Sequence, residues 1–469
     1  MFARTLILFP ILFALGCATI GPDYRAPEAP RAARDATLRV DSEPELTANE
    51  PAHDWWMALS DPTLNALVEA ALDENREIRV AAARVAEAEA FLERDRAEYL
   101  PTVGADAGLE RRQVGGAAFG SDDNFVPNST LASVGIRAGW ELDYTGRVRR
   151  LTESAAANAD AAEMLRRDTQ VLVAASTTNT YMVFRGAQLE EETAVQNLML
   201  QQQILELAIA RAEEGVASEL DAQRAQAQIA LSRATIPPLQ ARQTGALARL
   251  VTLTGLSIED VAERLAEGYR SLPTPPRALP VGDARGLLSR RSDVRAAEYR
   301  LRAATAQIGV AQAEYFPRVS MGGTVGLSAQ SIPGLAQGSA LGFGVGPSIS
   351  WNLNFGAVAA QIDAADARAR GALAAYEHTV LEALEETRTA ISGYGRELVR
   401  YRTLSDASQR AAGAETLVRL RFEEGYGSFG DVLLESDRRL QAEAALAESR
   451  TAVALRYGDV YRALGAGWR

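Results

Sequence analysis

Very few residues in this 469-residue chain could do covalent chemistry. It has two histidines, His53 and His378, a single cysteine, Cys17, and no lysine. That leaves no set able to hold a structural zinc ion or close a disulfide, and no histidine with a visible nucleophile partner. All 49 basic side chains are arginines, so the phosphate-gripping lysine of a P-loop has no source. Acidic residues outnumber basic ones 61 to 49, a formal charge of -12, and there is no basic run. Nucleic-acid binding is therefore not expected; nor is enzyme activity, a metal site or a catalytic residue. What remains is one thiol and a pair of carboxylates in matching surroundings. Asp221 follows Gly215 and Ser218, and Asp431 follows Gly425 and Ser428, at the same spacing. Glycine suits the left-handed residue just past a helix end. A serine N-cap with an acidic residue three positions on makes a capping-box-like start. Each segment thus reads as a tight helical hairpin tip, and the plain role of each Asp is to cap its helix and favour the dipole. In an assembly around a pore, the same carboxylates could also ring the narrow end and select cations.

The thiol sits at an address. Residues 1–16 combine Arg4 with an apolar stretch from Leu6 to Leu15 that is too short to span a bilayer, as in a secretory signal. Gly16-Cys17 resembles a bacterial lipoprotein cleavage site, at which the cysteine becomes the first residue and carries diacylglycerol and an N-acyl chain such as palmitate. Such chains hold a protein at a membrane by about 0.8 kcal/mol per buried methylene. No other cofactor is expected. Residues 17–60, rich in Pro and Ala, read as a lipidated extended arm.

The elements that must carry these residues are written twice. Tyr99-Leu100-Pro101 returns as Tyr315-Phe316-Pro317, Trp140 to Tyr144 as Trp351 to Phe355, and Arg211 to Asp221 as Arg421 to Asp431, always about 210 to 216 residues on. Two structural repeats, 61–270 and 283–469, are implied, joined by the Pro-rich linker 271–282. Each copy holds two segments, near 102–144 and near 318–355, in which apolar residues alternate with polar or small ones. Val134, Ile136, Ala138, Trp140 and Leu142, for example, alternate with Gly135, Arg137, Gly139, Glu141 and Asp143. Period two over about ten residues gives a strand with two unlike faces, and the length suits a tilted transmembrane β-strand. Trp140, Tyr144, Trp351 and Phe355 would form an interfacial girdle. Four strands per chain cannot close, and lipid tolerates no open edge, so strands must be pooled between copies. A trimer, with twelve strands, leaves a water-filled lumen, whereas side chains fill an eight-stranded barrel. Asp106, Glu110, Arg137, Glu141 and Asp143 would then face that lumen and tolerate change individually.

Helix accounts for the rest. From Arg147 to Glu214 there is no proline, and none from Ala357 to Glu424. A helix of about 65 residues approaches 100 Å in length and must pack along neighbours as a coiled coil. The return helices are expected over 218–254, broken at Pro237-Pro238, and over 428–464; shorter ones at 62–98 and 284–314 lead into the strands. The hairpin tips fall near 215–221 and 425–431.

Several motifs then occur in a telling order. Cys17 is followed by Gly21-Pro22-Asp23-Tyr24 and Pro27, then Trp55-Trp56 with Asp61-Pro62, then Arg290-Arg291-Ser292-Asp293-Val294-Arg295-Ala296-Ala297-Glu298, then Tyr315-Phe316-Pro317. This series resembles the lipoprotein (NodT/OprM-like) branch of the TolC-like outer-membrane efflux protein family. The resemblance implies an α+β membrane protein. Its homotrimer would make a twelve-stranded transmembrane β-barrel continued by a long coiled-coil α-helical barrel across the periplasm. It implies a passive conduit in an RND-type tripartite efflux system, exporting drugs or other small amphiphilic compounds, with a periplasmic adaptor and an inner-membrane transporter as partners. The family's periplasmic gate carboxylate falls on Asp431 and its counterpart on Asp221. The adaptor-contact tips fall on Gly215, Ser218, Gly425 and Ser428. Ser292 stands where that motif usually has proline, and Gly427 where some relatives place a gate-stabilising arginine. The alternatives are a type I protein-secretion duct of the same architecture, and a periplasmic adaptor lipoprotein, which would have one hairpin and no barrel-length strands.

Overall fold

The computed structural model describes residues 19–28, 30–34, 38, 45–112, 129–213, 219–267 and 271–468. The signal 1–16, Cys17, Gly215 and Ser218 lie outside the described residues. In chain order the main elements are β1 (Glu45–Thr47), α1 (Pro62–Glu74), α2 (Arg76–Ala97), β2 (Thr102–Arg112), β3 (Ser129–Glu141), α3 (Arg147–Glu213), α4 (Glu219–Ala234), α5 (Ile236–Thr254), α6 (Ile258–Glu267), β4 (Ala278–Pro280), α7 (Ala284–Arg290), α8 (Ser292–Ala313), β5 (Arg318–Ala329), β6 (Leu341–Ser350), α9 (Phe355–Glu423) and α10 (Phe429–Ala463). None of the described helices is long and apolar enough to cross a membrane. The chain forms two compact units, one from 1–27, 85–161 and 297–376, the other from 28–84, 162–296 and 377–469, so each draws on both halves of the sequence.

The first unit carries a four-stranded antiparallel sheet in the order β2-β3-β5-β6. Its register puts Val103, Ala138 and Val345 on one face with Ile136, Val325 and Phe343; the other face carries Gly139, Gly322 and Gly346 in one row and Arg137 and Thr324 in the next. The apolar face is bare: Val103 is 70%, Val345 79% and Phe343 84% exposed. A large apolar face without cover is not stable in water, so this one is built to meet lipid or a partner. The strand pairs start alike, Thr102 opposite Gly139 and Arg318 opposite Ser350, and Trp140 and Trp351 donate from Nε1 to the carbonyls of Tyr99 (2.9 Å) and Tyr315 (3.1 Å). Among the described residues β2 and β6 each have one strand neighbour, and Pro347 in β6 suits an edge, having no N–H to give. Ala365 and Ala369 of α9 pack with Ile308 and Ala311 of α8, small residues that let the helices approach closely. The arm is strapped to this unit by Arg150, which donates to the carbonyls of Ile20 and Gly21 and to Asp23, while Tyr24 donates to Glu298. Gly21 has φ +97° and lies against Gly309; no side chain fits between them.

The second unit is helical, with the short parallel pair β1-β4 joining arm to linker. Trp55 stacks on Tyr461 at 4.8 Å, and Tyr181 donates to Asp61, whose other oxygen caps α1 at Thr63 and Leu64. Gly186 meets Thr451 and Gly458 meets Asn179, which sets how closely α3 and α10 pack.

Three sequence expectations need correction. The helix expected over 62–98 breaks at Asn75, whose Oδ1 accepts from Glu77 and Ile78 and whose Nδ2 donates to the Leu253 carbonyl, so one side chain ends α1 and starts α2. The helix expected over 284–314 breaks at Arg291, held extended while its guanidinium bonds Asp293, Glu386 and the Ala463 carbonyl. Glu141 and Asp143 are not simple lining residues: Glu141 accepts from Arg147, and Asp143 caps α3 at Val148 and Arg149. The break at Pro237-Pro238 falls where the prolines dictate, with Thr235 between α4 and α5 and both prolines in the first turn of α5.

Candidate gate at the hairpin tips

The second tip is built by glycine and a reciprocal cap. After Glu423 ends α9, Gly425 adopts φ +83° and the Tyr426 N–H reaches back to the Arg421 carbonyl at 2.8 Å. Ser428 then caps α10: its Oγ accepts from the Asp431 N–H at 3.1 Å, and the Asp431 carboxylate accepts from the Ser428 hydroxyl at 2.8 Å and from its N–H at 3.4 Å. The box expected from spacing is thus fully made here. Asp431 itself is exposed, so its charge faces solvent as well as the helix start.

On the first hairpin, Gly215 and Ser218 fall outside the described residues. Asp221 is in the first turn of α4, half-buried, with the Arg224 guanidinium at 3.6 Å. The second unit brings the two hairpins onto one core: Ile204 and Ala208 of α3, Ala225 of α4, Phe422 of α9, and Phe429 and Val432 of α10. Phe422 and Phe429 face each other across the tip at 5.5 Å. Below this core Gln228 donates to Asp437 at 2.8 Å, a direct tie between α4 and α10.

Gly427 has a packing reason. A Cβ there would come 3.3 Å from the Phe422 nitrogen, tighter than the backbone easily admits, so an arginine at this position requires a shifted tip. Sequence reasoning missed Phe422 and Phe429, and also the exposed apolar residues that flank the tips: Tyr426 at 80%, Leu417 at 64% and Leu220 at 56%. The available signal was a large apolar residue within a few positions of each tip glycine. Among the described residues, no three His, Cys, Asp or Glu side chains are placed to hold a metal ion.

A sheet with one bare apolar face, carried on a chain with long helical hairpins, is what a channel subunit of a membrane needs. Comparison with known proteins gives the family. The chain belongs to the outer membrane efflux protein family, whose model matches residues 67–256 and again 285–466. It is 30% identical over 464 residues to the antibiotic efflux pump outer membrane protein ArpC of Pseudomonas putida, covering 97% of this chain and 94% of that one. Among solved structures it is similar to the outer-membrane channel OprN, with a TM-score of 0.88 and 38% identity over 96% of this chain and 100% of that one. It is also similar to the MtrE outer membrane channel of Neisseria gonorrhoeae in its open state, with a TM-score of 0.83 and 25% identity over 96% of this chain and 98% of that one. The outer membrane of a bacterium is its place.

Proposed function

We propose that this chain is the outer-membrane channel subunit of a tripartite efflux system, a passive conduit for drugs or other small amphiphilic compounds. The observation that carries the reading is the four-stranded sheet, apolar and bare on one face and with one open edge at each side. Unpaired backbone groups cost several kcal/mol each in lipid, so three copies pool their strands into a closed twelve-stranded barrel. The long helices continue it as a coiled-coil barrel, and the two matching strand registers, with the two stretches matched by the family model, support an internal duplication of 61–270 and 283–469 about the linker 271–282. Cys17 carries the lipid anchor. The tips, with Gly215, Ser218, Gly425 and Ser428, receive a periplasmic adaptor that links the channel to an inner-membrane transporter. Asp221 and Asp431 from three copies ring the narrow end and hold it shut to anions and large solutes. The subunit does no covalent chemistry of its own.

The test has two arms. Native mass measurement of the detergent-extracted protein should give a trimer, with an acyl mass increment lost in Cys17→Ser. In planar bilayers, Asp221→Asn with Asp431→Asn should raise leak conductance severalfold and lower cation preference, because Asn keeps an acceptor for the Ser428 N–H and removes only charge. A monomeric protein would end the channel reading; unchanged conductance and selectivity would end the gate assignment.

A further inference from the structure

The second unit contains a cavity of about 470 Å³ that the channel reading does not use, between the linker and the hairpin α9–α10. One wall is the segment Leu272–Arg277, in which Pro273, Pro275 and Pro276 fix the backbone and offer no N–H. The opposite wall is one face of α9, Tyr394, Leu398, Tyr401 and Arg402, and α10 closes it with Arg450 and Val453. Leu272, Tyr394 and Val453 are 7%, 2% and 7% exposed and form an apolar floor. The volume suits a small organic molecule, and the wall is rigid enough to be ready-made.

The charged side chains that line it are all of one sign. Arg277, Arg402 and Arg450 line the cavity and no Asp or Glu does, in a chain whose formal charge is -12. Arg402 has a partner of its own, and elsewhere on the same helices arginines find carboxylates at helical spacing: Arg400 with Glu397 at 3.2 Å, Arg439 with Glu443 at 2.8 Å, and Arg456 with Asp459 at 3.7 Å. Arg450 has none at that spacing, because Leu446, Ala447, Val453 and Ala454 occupy the positions three and four residues away, and Glu443, beside the neighbouring cleft that Arg450 also lines, is held by Arg439. Arg277 is flanked by Pro275, Pro276 and Ala278. Guanidinium groups gathered at an apolar cleft repel one another and attract an anion, most strongly one whose body also covers the floor.

We propose that this cavity binds a small amphiphilic organic anion, an aryl or short alkyl carboxylate. Arg450 and Arg277 take its charge, and the body lies against Tyr401, Leu398 and the apolar floor. The ligand braces the linker against the α9–α10 hairpin, and so stabilises the second unit without entering any pore. The probes are 4-phenylbutyrate and its uncharged amide, 4-phenylbutyramide, titrated calorimetrically into the full-length protein in amphipol and followed by thermal unfolding. The carboxylate should bind at least tenfold tighter than the amide, weaken as salt rises, and raise the unfolding temperature. Arg277→Gln with Arg450→Gln should erase the preference for the carboxylate, while Tyr401→Ala should weaken both probes. Unchanged conductance of each variant verifies that it is folded. Equal affinity for the two probes, or full carboxylate preference in the double arginine variant, overturns the proposal. So does failure of the assembled protein to bind either probe, which would mean that a neighbouring copy fills the cavity.

Discussion

Asp168 shows how one side chain sets a pH dependence. Burial raises its pKa to about 6, the Asp293 and Glu386 carboxylates push in the same direction, and Arg291 opposes them. That guanidinium is already shared, at 2.7 Å from Asp293 and 2.9 Å from Glu386, and has little left to offer. The folded state therefore binds the Asp168 proton more tightly than the unfolded chain, whose aspartate titrates near 3.8. The unfavourable charge is absent below about pH 4, grows as pH rises to about 6, and stays constant above, where it costs on the order of 3 kcal/mol. Asp168→Asn should accordingly raise the unfolding midpoint at pH 7.5 and leave it nearly unchanged at pH 4; an equal gain at both values would show that the charge is not the cause. Sequence could not supply this, because Asp168 is separated from its partners by more than a hundred residues. The Ser428–Asp431 box was legible for the opposite reason: all its atoms lie within four consecutive residues.

Among the elements, period and length served the strands well. The alternation around 102–110 and 133–144 became β2 over 102–112 and β3 over 129–141, since a face that must meet lipid admits no polar interruption. The long helices were legible from the want of proline. The breaks at Asn75 and Arg291 were not, because each rests in part on a bond to a distant carbonyl, Leu253 and Ala463, with no proline or glycine to mark it. Asn75 is 3% exposed, so Asn75→Ala removes the cap of α2 and strands the Leu253 carbonyl. The variant should be destabilised by about 2 kcal/mol, seen as an earlier thermal or denaturant midpoint, with the cap and the orphaned carbonyl contributing comparably. Asn75→Ser, which keeps a cap acceptor and loses the amide donor, should fall between the alanine variant and the unaltered protein; full stability in the alanine variant would mean that the helix break is set elsewhere.

At the scale of the whole molecule, the open edges make each subunit of the proposed trimer answerable for its neighbours. Pro347 tells which way β6 points its missing donor, and Val345, two residues away, shares that side. Val345→Pro should leave the β5–β6 pairing whole and blunt only the outward rim. A subunit so altered still offers an intact β2 rim, so it is drawn into mixed rings and spoils them. Expressed in equal amounts beside the normal gene, it should leave about an eighth of the assemblies unblemished by random mixing, read as a drop in dye export far below one half. A loss of just half would mean that subunits are sorted before they join. In the proposed trimer, a co-expressed damaged copy is dominant because it is only partly broken, and a copy too damaged to dock at all is harmless.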